Sequence, residues 1–165
     1  MQMVNHKRII LFIFILINSI FANDNLNNIK WQHELEDAKE LAQHFKKPIF
    51  LFLESRKCYF CPIMQEETFR DSRVEKEIND NFIPVILDNS LGAESDVENS
   101  GHAPERLTTS MTPAIYLMGP KEEMLSRKGK KHMIIYGMWK PDDLLAWLKE
   151  AKRKFSKLHG TKYAE

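Results

Sequence analysis

From Trp31 to Phe45, apolar side chains at Trp31, Leu35, Ala38, Leu41, Ala42 and Phe45 recur at three- and four-residue intervals, which places them on one face of a helix. Lys46-Lys47-Pro48 ends it. Ile49-Phe50-Leu51-Phe52-Leu53 follows as an unbroken apolar run of strand length, the pattern of a strand covered on both faces. A short polar turn, Glu54-Ser55-Arg56-Lys57, leads into a stretch from Cys58 to Phe69 with helix-compatible composition. Pro62 is tolerated only in a helix's first turn, so this helix is expected to begin at about Cys58. Asp71 or Ser72 caps a further helical piece through Val74 and Ile78. Phe82-Ile83-Pro84-Val85-Ile86-Leu87 reads as a strand whose proline points to its start or to a sheet edge.

Residues 88 to 103 are rich in turn formers and lack periodicity, which predicts a loop before a short helix near Pro104–Thr109. Two further strands, Ala114–Met118 and His132–Tyr136, are expected to pair as a hairpin across a charged turn region containing Lys128-Gly129-Lys130-Lys131. Pro141 at a helix's first position, with Asp142 and Asp143 in the positively polarised first turn, introduces Leu144, Leu148, Ala151 and Phe155 on one helical face. The order helix, strand, helix, strand, short helix, hairpin, helix predicts an α/β fold with a central mixed sheet and helices on both faces. No internal repeat is present.

The chain has 165 residues, 43% of them hydrophobic and 28% charged, enough for one core and one domain. Its first stretch differs from the rest. Lys7 and Arg8 precede an apolar run from Ile9 to Ile17, and Ala22 offers a small residue for cleavage before the polar Asn23-Asp24-Asn25. This is the layout of a secretory signal peptide over residues 1–22, too short in its apolar part for the ~20 residues of a membrane-spanning helix. The globular domain is then 23–165, and a bacterial periplasm is the expected compartment. The alternative is an uncleaved segment anchoring the protein to the inner membrane. Removing residues 1–22 takes away two basic and no acidic residues, moving the formal charge from +1 to −1. Neither value favours nucleic acid as a partner. The lysines and Arg153 between positions 149 and 157 complement the negative end of a helix dipole.

Cys58 and Cys61 are the only cysteines. They lie three apart at the expected start of a helix that follows a buried strand. Unpaired amides and partial positive charge at a helix N-terminus favour thiolate over thiol, and Arg56 and Lys57 reinforce this, so Cys58 is the expected nucleophile. Cys61, one helical turn on, is the expected resolving thiol. A purely structural disulfide across so short a loop would constrain the unfolded chain little. Zinc would need two more ligands, and His33, His44, His102, His132 and His159 show no spacing typical of zinc modules, so no metal and no cofactor beyond the cysteine pair is expected.

The stretch from Lys46-Lys47-Pro48-Ile49 to Leu87-Asp88 resembles thioredoxin-like domains, particularly those at the C-terminal end of bacterial membrane thiol:disulfide interchange proteins. The lysine-proline lead into the strand, the C-x-x-C, Met64, Glu67-Thr68-Phe69, Asp71, Val74 and Asn81-Phe82-Ile83-Pro84-Val85 before Asp88 carry the likeness. Met111-Thr112-Pro113-Ala114 is similar to the segment that in thioredoxin folds holds a cis-proline facing the cysteines, and the likeness covers roughly residues 30–155. It implies a thioredoxin fold, with Thr112 and Pro113 contacting an extended substrate. The sequence departs from the family in three places. Lys57 stands where a tryptophan is common, Tyr59-Phe60 replaces glycine-proline, and Phe52 takes the position of a frequently buried aspartate. Glu54 reads more readily as a solvated turn residue than as that acid's substitute.

The resemblance together with export implies a thiol:disulfide oxidoreductase, working as a reductase on protein thiols and disulfides, monomeric, and recharged by a membrane-embedded thiol donor. The same chemistry in reverse would make an oxidase or isomerase, since direction follows relative reduction potential. A non-catalytic thioredoxin-fold binding module or chaperone is the competing class.

Overall fold

A computed structural model describes residues 27–89, 111–123, 125 and 133–160. The expected signal peptide, the loop over 90–103, the short helix near 104–109, the turn at 128–131, His102 and His132 lie outside the described residues. Among the described residues are four helices and four strands: α1 (Leu35–Phe45), β1 (Ile49–Glu54), α2 (Phe60–Glu67), α3 (Ser72–Asn81), β2 (Ile83–Asp88), β3 (Ala114–Met118), β4 (Ile134–Tyr136) and α4 (Pro141–His159).

The sheet runs in the order β2-β1-β3-β4. β1 pairs parallel with β2, in the register Ile49 to Ile83, and antiparallel with β3, while β3 and β4 form the expected antiparallel pair. The first five residues of β1 are buried, as its unbroken apolar run required. Alternate residues of that run enter two different cores. Leu51 and Leu53 pack with Leu35, Ala38 and Ala42 of α1. Phe50 and Phe52 pack on the other face with Met64 of α2, Val74 and Ile78 of α3, and Leu144, Leu148, Ala151 and Phe155 of α4. This is the mixed sheet with helices on both faces that the sequence predicted.

Pro84 sits on the edge strand as expected, and the reason is visible in the hydrogen bonds. Its carbonyl faces outward, accepting from the Gln32 N–H at 2.9 Å, so its missing N–H costs no bond to β1. Asp71 is the N-cap of α3, its side chain accepting from the Arg73 N–H at 2.9 Å. Pro141 opens α4, and Gly160 closes it with φ 64°.

The N-terminal boundary of α1 differs from the sequence reading. Trp31 is not on the helix. Gln32 bridges Val85 of β2 in parallel, with the Ile86 N–H donating to the Gln32 carbonyl at 3.0 Å. The Trp31 ring crosses to the other face, 5.5 Å from Phe69 and 6.0 Å from Phe50, and its indole N–H donates to Asn27 Oδ1 at 3.0 Å. Pairing of Gln32 with a strand edge and packing of the half-buried Trp31 ring on the core override a periodicity that continued by coincidence. Phe45, at the other end of the same pattern, is exposed.

Candidate functional site

β1 delivers the chain to the site. Its last residue, Glu54, is followed by a turn in which the Cys58 N–H donates to the Ser55 carbonyl at 2.9 Å. α2 then begins at Phe60 with Tyr59 as N-cap, two residues later than expected, which leaves Cys58 just outside the helix and Cys61 in its first turn. Pro62 falls in that first turn too, where its lack of an N–H removes no helical bond.

Cys58 and Cys61 form a disulfide with an S–S distance of 2.03 Å and Cα atoms 5.4 Å apart. The Cys61 N–H, one of the helix's free first-turn amides, donates to Cys58 Sγ at 3.1 Å. The two sulfurs have different surroundings. Cys61 is only 2% exposed and belongs to the core with Phe52 and Met64, whereas Cys58 is half-buried against that core's margin. A partner therefore reaches the pair from the Cys58 side.

The second segment of the site is 111–113. The Thr112–Pro113 peptide bond is cis, in line with the resemblance. Thr112 Oγ1 lies 3.0 Å from Ser55 Oγ, which ties this segment to the turn that carries Cys58. The third segment is joined to the second where the Gly137 N–H donates to the Pro113 carbonyl at 2.9 Å; Gly137 has φ 78°, a conformation glycine adopts without a Cβ penalty. Trp139, two residues on, accepts from Thr68 Oγ1 at 2.5 Å and so fastens this segment to the end of α2. The structure thus gathers Cys58, Cys61, Thr112 and Pro113 into one place.

Two members of the arrangement were not singled out from sequence. Ser55 reads as an ordinary turn residue, and only its long-range contact to Thr112 reveals its role as a tie. Gln65, one turn beyond Cys61 on α2, donates to Glu54 Oε2 at 2.5 Å. Glu54 is therefore half-buried and bonded rather than a solvated turn residue, because strand alternation turns it toward α2 along with Phe50 and Phe52. Beneath Cys61 the position of the absent acid is aromatic, with Phe52 and Phe69 edge to face at 4.9 Å.

Of the histidines in the described residues, His44 packs on Phe45 and His159 stacks on Phe155 at 4.2 Å, each on a different helix from the cysteines. With both sulfurs bonded to each other, the arrangement is suited to two-electron thiol–disulfide chemistry.

Comparisons with known proteins agree with this geometry. A family model described as "Thioredox_DsbH: Protein of unknown function, DUF255" matches residues 18–109. An uncharacterized protein of Caenorhabditis elegans is 29% identical over 97 residues, covering 54% of this chain and 13% of its own length. The chain spans between 8% and 16% of the length of the curated relatives it matches. Among solved structures, the DsbH oxidoreductase aligns with a TM-score of 0.61 at 14% identity, over 79% of this chain and 89% of that one. A thioredoxin from Thermus thermophilus aligns with a TM-score of 0.60 at 16% identity, over 83% of this chain and 98% of that one. The fold is a thioredoxin fold.

Proposed function

The chain belongs to the Thioredox_DsbH family, and on that premise we propose that it is an exported thiol:disulfide oxidoreductase that reduces protein disulfides through Cys58 and Cys61. The observation that carries this reading is the asymmetry of the pair, a reachable Cys58 sulfur facing a free helix amide and a buried Cys61 sulfur bonded to it.

In the reduced protein, the amide that donates to Cys58 Sγ stabilises a thiolate there. That thiolate attacks one sulfur of a substrate disulfide, and the other substrate sulfur leaves as a thiolate that takes a proton from water. Cys61 then gives up its proton and attacks Cys58 Sγ, releasing the second substrate sulfur. One substrate disulfide becomes two thiols while the enzyme's two thiols become the disulfide. A membrane-embedded dithiol donor restores the reduced pair by the same exchange in reverse.

Thr112 and Pro113, tied to the Cys58 turn through Ser55, are the residues assigned to an extended substrate segment, and backbone pairing with Thr112 is the expected mode, as when a peptide adds to a strand edge. Ser55 holds that segment in position through its hydroxyl. Export rests on Lys7, Arg8 and the apolar run after them.

The test is reduction of a protein disulfide in the presence of a dithiol reductant, comparing the wild type with Cys58→Ser and Cys61→Ser. The wild type should turn over, Cys58→Ser should fall to background, and Cys61→Ser should accumulate a mixed disulfide on Cys58. Turnover by Cys58→Ser would overturn the assignment. A reduction potential near about −270 mV favours reductase work, and one near about −120 mV would reassign the protein as an oxidase.

A further inference from the structure

Thioether sulfur is unevenly exposed on this molecule. Of the methionines among the described residues, Met64 and Met133 are buried in the core on one face of the sheet and Met118 in the core on the other, whereas Met111 is 59% exposed and Met138 37%. The two exposed ones stand on neighbouring segments at the disulfide end of the sheet. Met111 directly precedes Thr112, whose Oγ1 lies 3.0 Å from Ser55 Oγ on the turn that carries Cys58. Met138 directly follows Gly137, whose N–H donates to the Pro113 carbonyl at 2.9 Å.

Exposure decides which sulfur a peroxide reaches. The cysteine pair carries its own remedy. Peroxide oxygen added to the Cys58 thiolate gives a sulfenic acid, hydroxide leaves, and Cys61 then displaces the oxygen as water in forming the observed disulfide, which the next round of exchange reduces. Once that disulfide is made, neither cysteine has a thiolate to offer. A methionine has no such resolving step. Its thioether takes one oxygen atom from the peroxide, the O–O bond breaks, a sulfur–oxygen bond forms and water leaves, so the sulfur gives up two electrons and the peroxide gains them. The sulfoxide stays until a methionine sulfoxide reductase removes it, and a flexible apolar side chain is meanwhile a polar one.

Resting on the exchange reading above, we propose that Met111 is a site of reversible oxidation by peroxides, and that its sulfoxide slows exchange with polypeptide disulfides while sparing exchange with glutathione disulfide, which is too small to run along the 112–113 segment. Met138, less exposed, is the slower second target. The modification turns down reduction of protein disulfides under oxidant and leaves both cysteines intact.

The experiment starts from the purified protein in its disulfide form, treated with hydrogen peroxide and mapped by peptide mass spectrometry. Treated and untreated samples are then reduced with dithiothreitol, freed of it, and mixed in stopped flow with a peptide disulfide or with glutathione disulfide. The mass of one oxygen should appear at Met111 before Met138, and later still at the buried Met64, Met118 and Met133. Each protein's treated rate is divided by its own untreated rate, which cancels any effect of a substitution on exchange itself. For the wild type that ratio should fall about fivefold with the peptide, the loss expected when an apolar contact turns polar, and stay near one with glutathione disulfide. Met111→Leu, with no sulfur there to oxidise, should keep both ratios near one, and Met138→Leu should lose rate as the wild type does. Incubating the treated wild type with methionine sulfoxide reductases of both stereospecificities should restore its rate, which tests the proposal with no substitution at all.

Oxygen gained at the buried methionines as early as at Met111, an unchanged peptide rate after Met111 is oxidised, an equal loss with glutathione disulfide, an equal loss in Met111→Leu, or no recovery with the reductases would overturn the proposal while leaving exchange itself intact. Untreated protein that reacts with neither disulfide would instead overturn the exchange reading, and its control by Met111 with it.

Discussion

Beneath the disulfide, Phe52, Phe69 and Trp31 pack ring against ring with Cys61; beside it, Tyr59 and Phe60 face solvent. The two regions use the same class of side chain a few residues apart, yet one is floor and the other rim. What separates them is register. Phe52 is on the face of β1 that α2 covers, whereas Tyr59 and Phe60 stand at the helix start, ahead of the face that α2 turns inward with Cys61 and Met64. The comparison teaches that the floor should govern stability and the rim should govern which partner reacts.

The largest expected effect breaks the floor. Phe52→Ala empties a fully buried aromatic site and should cost about 3–5 kcal/mol in urea unfolding. The rate of exchange with a peptide disulfide, measured where the variant is folded, should stay near the wild type's. A cost below about 1 kcal/mol would show that Phe52 is not a supporting element.

A smaller effect comes from a place that belongs to neither region. Asp71→Ala removes the α3 N-cap and should cost about 1 kcal/mol. The Asp71 carboxyl is held below its ordinary value, first by the side-chain hydrogen bond from Arg73. A carboxyl depressed in the folded state contributes stability above its unfolded value near about pH 4 and loses it as pH falls through the folded value. The stability profile of Asp71→Asn should therefore be flatter than the wild type's on the acid side of about pH 4, with exchange rates unaltered near neutrality.

Ser55→Ala sharpens the boundary between the regions, since it cuts the tie from the Cys58 turn to Thr112. Stability should fall by about 0.5–1.5 kcal/mol. Exchange with peptides should slow more than exchange with glutathione disulfide, because only the peptide uses the 112–113 segment. Equal slowing of both would remove Ser55 from the substrate path. The smallest stability effect belongs to the rim itself. Phe60→Ser, at a half-exposed position, should stay within about 0.5 kcal/mol of the wild type, the usual range for surface changes.

Much of the floor was legible in the sequence and little of the rim. The unbroken run Ile49–Leu53 needed two covered faces, and Pro141 with its acidic first turn needed a helix start, so β1 and α4 stand where patterning put them. Cys58 and Cys61 were legible because a strand, a turn and a proline-bearing helix start fix their position. Trp31 was misread because three- and four-residue spacing continued past the true helix start, and only pairing of Gln32 with β2 breaks the pattern. Glu54 and Ser55 look alike in sequence as turn residues. What distinguishes them, Gln65 in one case and Thr112 in the other, lies 11 and 57 residues away. Exposure of Tyr59 and Phe60 was hidden for a related reason, since aromatic residues in a helix's first turn read equally as core.

The central claim is that Cys58 and Cys61 form one reversible redox couple. The most direct measurement equilibrates the protein across a series of glutathione buffers, quenches with a thiol-alkylating reagent and reads the mass. The account predicts a single two-electron transition in which both thiols appear together, and its loss in Cys58→Ser. A pair that stays oxidised across the whole series, or thiols that appear one at a time, would contradict it.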